Sequence, residues 1–156
     1  MIQMINAKVG TVRSYRGVTL GSAITVDPNT PLAVDGGTAE LELTNVAKRV
    51  LVGGGDVVLG MIGNATTVTV TGGGLTLQQT GDTFLFAMNG GTASMAQIGT
   101  INKLRVNGGS VEFGTDQTTI EDASANDGEI INSGNSAILR YFGDAELCAL
   151  NCPQSA

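Results

Sequence analysis

A ten-residue pattern, Φ-x-Φ-x-Gly-Gly-x-Φ-x-Φ with Φ an apolar residue, recurs five times in succession at a spacing of 18 residues. The copies begin at Leu32, Val50, Val68, Phe86 and Leu104. Their central positions are Gly36 and Gly37, Gly54 and Gly55, Gly72 and Gly73, Gly90 and Gly91, and Gly108 and Gly109. A second mark, Gly63, Gly81 and Gly99, falls at the same spacing, and a degenerate, slightly shifted sixth copy covers residues 123–130. A fixed period of this length is the signature of a stacked repeat architecture, whose outer copies degenerate where the stack is capped.

Apolar residues alternate on both sides of each glycine pair, which is strand periodicity with one face buried. The glycines permit positive φ, so the chain turns sharply between strands. They are the predicted structural corners. Two arrangements satisfy the pattern. In a parallel β-solenoid each copy is one coil, and Val50, Val68, Phe86 and Leu104 form one inward ladder while Leu59, Leu77, Met95 and Phe113 form another. In the alternative, each copy is a β-hairpin, since Gly-Gly is also a hairpin signal, and repeated hairpins build a triple β-spiral. The unbroken period and the second glycine at a fixed offset favour the solenoid. The expected fold is therefore all-β, a short parallel β-solenoid of about five to six 18-residue coils. Residues 32–131 form the solenoid, residues 1–31 an N-terminal arm or cap, and residues 132–156 a C-terminal cap and tail. Within the arm, Val9–Val12, Val18–Leu20 and Ala23–Val26 read as short extended pieces. Within the cap, residues 145–150 read as a helical turn.

The composition fits a corner-rich core of small apolar side chains. Glycine supplies 23 of 156 residues, about twice the usual share, and there is no Trp. Hydrophobic residues reach 42% against 14% charged, the reverse of a disordered chain. The net charge is −6, and the few Lys and Arg residues are dispersed, so no nucleic-acid surface is expected. No apolar run approaches the roughly 18 residues of a membrane span, and the first residues lack the basic and apolar regions of a secretory signal. The expected setting is the cytoplasm, with release in a particle by lysis as the alternative.

Chemistry is hard to place on this chain. There is no His, hence no His general base, no Ser-His-Asp triad and no His metal ligand. Cys148 and Cys152 make at most half a zinc site. They read as terminal or buried thiols, with a disulfide as the alternative. The carboxylates Glu40, Glu42, Glu112, Glu121, Asp122, Asp127 and Glu129 include candidate glycosidase pairs. None is distinguished by its neighbours, and Glu40 and Glu112 fall on outward strand positions. Gly53-Gly54-Gly55-Asp56 looks like a calcium-binding nonapeptide, but that scheme needs an Asp in every copy, and the position holds Thr38, Asp56, Gly74, Thr92 and Ser110. An ice-binding Thr array fails likewise, because the column through Thr69 reads Ala33, Leu51, Thr69, Ala87, Arg105. The glycine corners lie between strands rather than at a helix start, so they form no phosphate cradle. No catalytic residue, cofactor or metal is expected.

The string Thr67-Val68-Thr69-Val70-Thr71-Gly72-Gly73-Gly74-Leu75-Thr76-Leu77 resembles β-solenoid segments of autotransporter passengers and of phage spike and decoration proteins. The resemblance spans about residues 32–131 and concerns architecture. It implies a structural virion protein without enzymatic activity: a capsid decoration (cement) or head-fibre protein of a bacteriophage or virus. Such a protein binds the outer capsid surface, and so the major capsid protein, as a homotrimer. The alternative it implies is a tail-spike or adhesin-tip module that binds a host surface glycan without cleaving it. Neither nucleic acid nor membrane is an expected partner.

Overall fold

A computed structural model describes residues 2–3, 8–9, 18–19, 25–26, 32–34, 36, 38–43, 47–150 and 152–153. The chain is a parallel β-solenoid of about six coils with a pitch of 18 residues. Strand Leu32–Val34 pairs with Ala47–Val52, which pairs with Ala65–Val70, each residue opposite the one 18 positions later. The other wall runs from Thr38–Leu43 through Asp56–Ile62 to Gly74–Thr80 at the same offset. Both walls then join Thr83–Phe113, a 31-residue strand whose two ends continue the two walls. Every strand pairing is parallel among the described residues, which excludes repeated hairpins there.

The interior is a set of side-chain columns along the stack. Leu32, Val50, Val68, Phe86, Leu104, Ala123 and Tyr141 form one, and all are at most 2% exposed. Leu59, Leu77, Met95 and Phe113 form a second that is fully enclosed. Both ladders expected from the sequence are present. A column accepts any apolar side chain whose volume its neighbours in the column and across the interior can complement, which is why Val, Phe, Leu, Ala and Tyr succeed one another. Each fully buried Val, Leu, Ile, Met or Phe contributes roughly 1.5–3 kcal/mol of hydrophobic stabilisation.

Gly55, Gly73, Gly91 and Gly109 have φ between +76° and +81°. Their partners serve close approach: a Cβ on Gly72 would stand 3.0 Å from the Gly53 carbonyl oxygen, and one on Gly90 2.9 Å from that of Thr71. Gly63, Gly81 and Gly99 turn the second corner at φ 134–145°. Gly37 lies outside the described residues.

A third bend has no glycine to announce it. In Ala65–Val70 the buried residues are Ala65, Val68 and Val70, so Thr66 and Thr67 both face outward. The same double step recurs at Phe84-Leu85, Asn102-Lys103 and Glu121-Asp122. The pairing skips the first residue of each doublet, passing from Thr83↔Ala65 to Leu85↔Thr67. Each coil is thus three-sided, with a short side between the second corner and this bend.

From Leu32 onward the pitch changes once. Gly99 stands opposite Thr118 and Leu104 opposite Ala123, an offset of 19. One extra residue is accommodated in segment 114–117, and this is why the sixth copy reads as shifted. The offset then returns to 18: Ala123 opposes Tyr141, and Ile130 opposes Cys148. Strands Ala137–Ile138, Tyr141–Gly143 and Cys148–Ala149 therefore stack in register on the last full coil. A short 3-10 helix, Ala145–Leu147, takes the place of the Gly-Gly corner. Leu147 and Cys152 pack against the end of the core. Cys148 and Cys152 are joined as a disulfide, their Cα atoms 6.0 Å apart, so the thiol reading is replaced by its alternative.

At the other end, Ile2–Gln3 pairs with Val18–Thr19, which pairs with Thr38–Leu43, at offsets of 16 and 21. Lys8–Val9 pairs with Thr25–Val26 at 17. The expected extended piece at residues 9–12 is described only at Val9, and the one at 23–26 only at Thr25 and Val26.

Candidate functional surfaces

A solenoid fixes what its outer surface can offer. Every second residue of a strand faces outward, and the pitch brings outward residues of successive coils into columns about 4.8 Å apart. A function carried by this protein's outer faces is therefore read column by column.

The column at the Gly-Gly corner is polar and bonded along the stack. Asn107 Nδ2 donates to Asn89 Oδ1 at 3.0 Å, and Asn126 Nδ2 donates to Asn107 Oδ1 at 2.9 Å. The short side carries a similar arrangement. The Asp82 amide donates to Asn64 Oδ1 at 2.9 Å, and the Thr100 amide donates to Asp82 Oδ1 at 2.8 Å. Here a side chain of one coil holds the backbone of the next, so these polar residues brace the corner.

Inside the second corner the columns turn polar. Gln79 Nε2 donates to the Gly63 carbonyl at 2.9 Å and more weakly to that of Asp82 at 3.3 Å. Gln97 Nε2 donates to the Gly81 carbonyl at 2.8 Å. Both glutamines are almost fully buried. They satisfy the Gly63 and Gly81 carbonyls at the sharp turn, as a buried polar backbone requires. Thr118 Oγ1 donates to the Gln97 carbonyl at 2.6 Å, and the Asn132–Ser136 pair closes the next corner with bonds of 2.8 Å in both directions.

Glu40 and Glu112 share one outward column, four coils apart through Val58, Thr76 and Ser94, and the other candidate carboxylates lie on other columns. Glu40, Glu112, Glu121, Asp127 and Glu129 are exposed. Glu112 accepts from Ser133 at 2.7 Å, and Glu121 accepts from Asn102 at 2.8 Å. Asp122 is paired with Arg105 at 3.1 Å. The side chain of Glu42 lies outside the described residues. The column through Thr69 pairs Ala33, Leu51 and Thr69 in succession, then Thr69 with Ala87, which is the mixed series read from the sequence.

Two surface features were not legible in advance. The first is a groove of about 370 Å³ on the long side, lined among others by Asp56, Thr76, Thr92, Ser94, Ser110 and Glu112. It runs across successive coils, so hydroxyls recur at the coil spacing. The second is an uneven distribution of exposed apolar side chains. Ile62, Ile98, Phe84 and Leu139 flank the short side, and Lys103 Nζ sits 5.4 Å from the centre of the Phe84 ring. Among the described residues no group of three or more His, Cys, Asp or Glu stands where it could hold a metal ion, and no helix is long and apolar enough to cross a membrane. No family model, curated protein or solved structure matches the chain.

Proposed function

We propose that this protein is a structural, non-enzymatic component of a phage or virus particle, made in the host cytoplasm. In this reading it is a capsid decoration (cement) or head-fibre protein that binds the major capsid protein from outside as a homotrimer. The observation that carries the reading is the contrast between the regular stack and its N-terminal end. From Leu32 onward the coils keep a pitch of 18 with one added residue, whereas the pairings before it have offsets of 16, 17 and 21. A regular stack with uneven pairing offsets at one end suits a protein that stands on a larger surface by that end.

Immunogold labelling of purified particles with antibody to the full chain tests this. The expected result is label over the head at many copies per particle. Particles without label would sink the virion reading in either form.

The groove supports a second reading, a spike or adhesin-tip module that binds a host surface glycan without cleaving it. Hydroxyls of Thr76, Thr92, Ser94 and Ser110, with Asp56 and Glu112, offer donors and acceptors to sugar hydroxyls at a regular axial spacing. Label confined to the distal tail at few copies, with binding on a glycan array, would favour it over decoration.

A further inference from the structure

The exposed apolar side chains are not scattered around the coil. Among the described residues seven large ones are exposed, and four of them, Ile62, Phe84, Ile98 and Leu139, flank the short side. The opposite vertex, at the Gly-Gly corner, carries the Asn89–Asn107–Asn126 ladder instead. Ile62 and Ile98 occupy one column with Thr80 between them, since Thr80 pairs with both. They are 65% and 51% exposed, and Phe84 on the other edge of the short side is 52% exposed. Isolated surface apolar residues need no explanation, but a vertex that repeats them at coil multiples is a potential contact edge.

We infer that the vertex formed by Ile62, Thr80 and Ile98 is the line along which three copies of this chain meet, with their solenoid axes parallel. This rests on the homotrimer proposed above and names the surface that makes it. The pitch argues for a second copy as the occupant. Ile62 and Ile98 are two coils apart, about 10 Å along the axis. A partner must offer apolar groups at that same spacing to cover both. Parallel copies around a threefold axis do so by symmetry, because each level brings a residue against its own equivalents. Ile62 meets Ile62, Thr80 meets Thr80, and Ile98 meets Ile98. A vertex also approaches an axis more closely than a flat side does. Ile62, Thr80 and Ile98 are themselves uncharged, and the Asp82 carboxylate on the adjoining short side accepts from the Thr100 amide at 2.8 Å.

The test compares molar mass by light scattering for the full-length wild type and for an Ile62→Lys/Ile98→Lys double variant. The wild type is expected at three times the chain mass and the variant at one third of that, with an unchanged β-type circular dichroism spectrum. A Thr76→Lys/Ser94→Lys variant on the long side should keep the full mass. A Thr80→Cys variant keeps the contact apolar and should give disulfide-linked pairs on non-reducing gels under mild oxidation, where the parent chain gives none. A trimer that survives the double lysine variant and does not cross-link through residue 80 would overturn this inference while leaving the trimer itself standing. A wild type that is monomeric at every concentration would overturn both.

Discussion

Thr83 donates its hydroxyl to Gln79 Oε1 at 2.9 Å inside the second corner, completing the bonding of a buried amide. One coil later the glutamine recurs as Gln97, but the residue four positions on is Ile101, and Gln97 Oε1 is buried without a partner. Two nearly identical corners thus differ by one hydrogen bond. A Thr83→Val substitution keeps the shape and leaves Gln79 in the state of Gln97. It should destabilise the protein by about 1–3 kcal/mol, the usual cost of an orphaned buried polar atom. Conversely, Ile101→Thr should cost about 1 kcal/mol less than Ile120→Thr one coil away, because only the former supplies a donor to a waiting acceptor. Urea unfolding of the four proteins measures both differences.

The corner glycines should rank by geometry rather than by their place in the repeat. Gly73 has φ +76°, and a Cβ there would collide with the backbone of Gly54 and Gly55. Gly73→Ala combines a left-handed backbone with a clash against a neighbouring coil that cannot move alone, so it should cost more than about 2 kcal/mol. Gly114 has open space around its Cβ position and no positive φ. Gly114→Ala should fall within about 0.5 kcal/mol of the wild type. Equal effects at the two sites, measured by denaturant midpoint, would contradict the corner assignment.

The contrast between these glycines shows what the sequence can and cannot announce. The period-two pattern around Gly-Gly placed Val68, Phe86 and Leu104 in one ladder because alternation has one geometric meaning in a strand. The third bend went unread because its outward doublets, Thr66-Thr67 and Phe84-Leu85, have no common composition. The closing coil was hidden for a related reason: Ala145–Leu147 turns as a 3-10 helix where a glycine pair would have marked the corner. The extra residue in segment 114–117 blurred the sixth copy, since a search at fixed period loses its place after an insertion. The apolar vertex was the least legible of all. Ile62 and Ile98 are chemically the same as interior residues, and only the register shows that they point outward.

Tyr141 ends the column of Leu32 to Ala123, and its hydroxyl donates to the Asp144 carbonyl at 2.7 Å. Burial, reinforced by the nearby Asp144 carboxylate, raises its pKa above the ordinary value of 10.0. The folded state therefore holds this proton at pH values where the unfolded chain has released it. Stability from this group is fully present below pH 10 and falls as pH rises from there through the folded pKa. Tyr141→Phe removes the hydroxyl and should cost about 0.5–1.5 kcal/mol at pH 7 for the lost hydrogen bond. The cost should shrink above pH 10. Thermal melts of both proteins from pH 7 to 11 should converge, and parallel curves would count against the assignment.

The disulfide between Cys148 and Cys152 ties the last strand to the tail that packs on the end of the core. It closes a very short loop, for which the chain-entropy treatment gives about 2 kcal/mol, less than for long loops. Its effect should also be local. Among the described residues Cys148 pairs with the coil before it, through Ile130, so releasing the tail frees one edge of the stack while the central columns keep both neighbours. Near-neighbour coupling of this kind is the rule in solenoids, where each coil contacts chiefly the coils on either side. A Cys148→Ala/Cys152→Ala variant should therefore lower global stability by no more than about 2 kcal/mol. Hydrogen exchange should quicken first at Cys148–Ala149, then at Glu129–Ile131, and least at Gly74–Thr80, where both faces of the strand are paired. Uniform loss of protection along the stack would mean instead that the coils melt as a single unit.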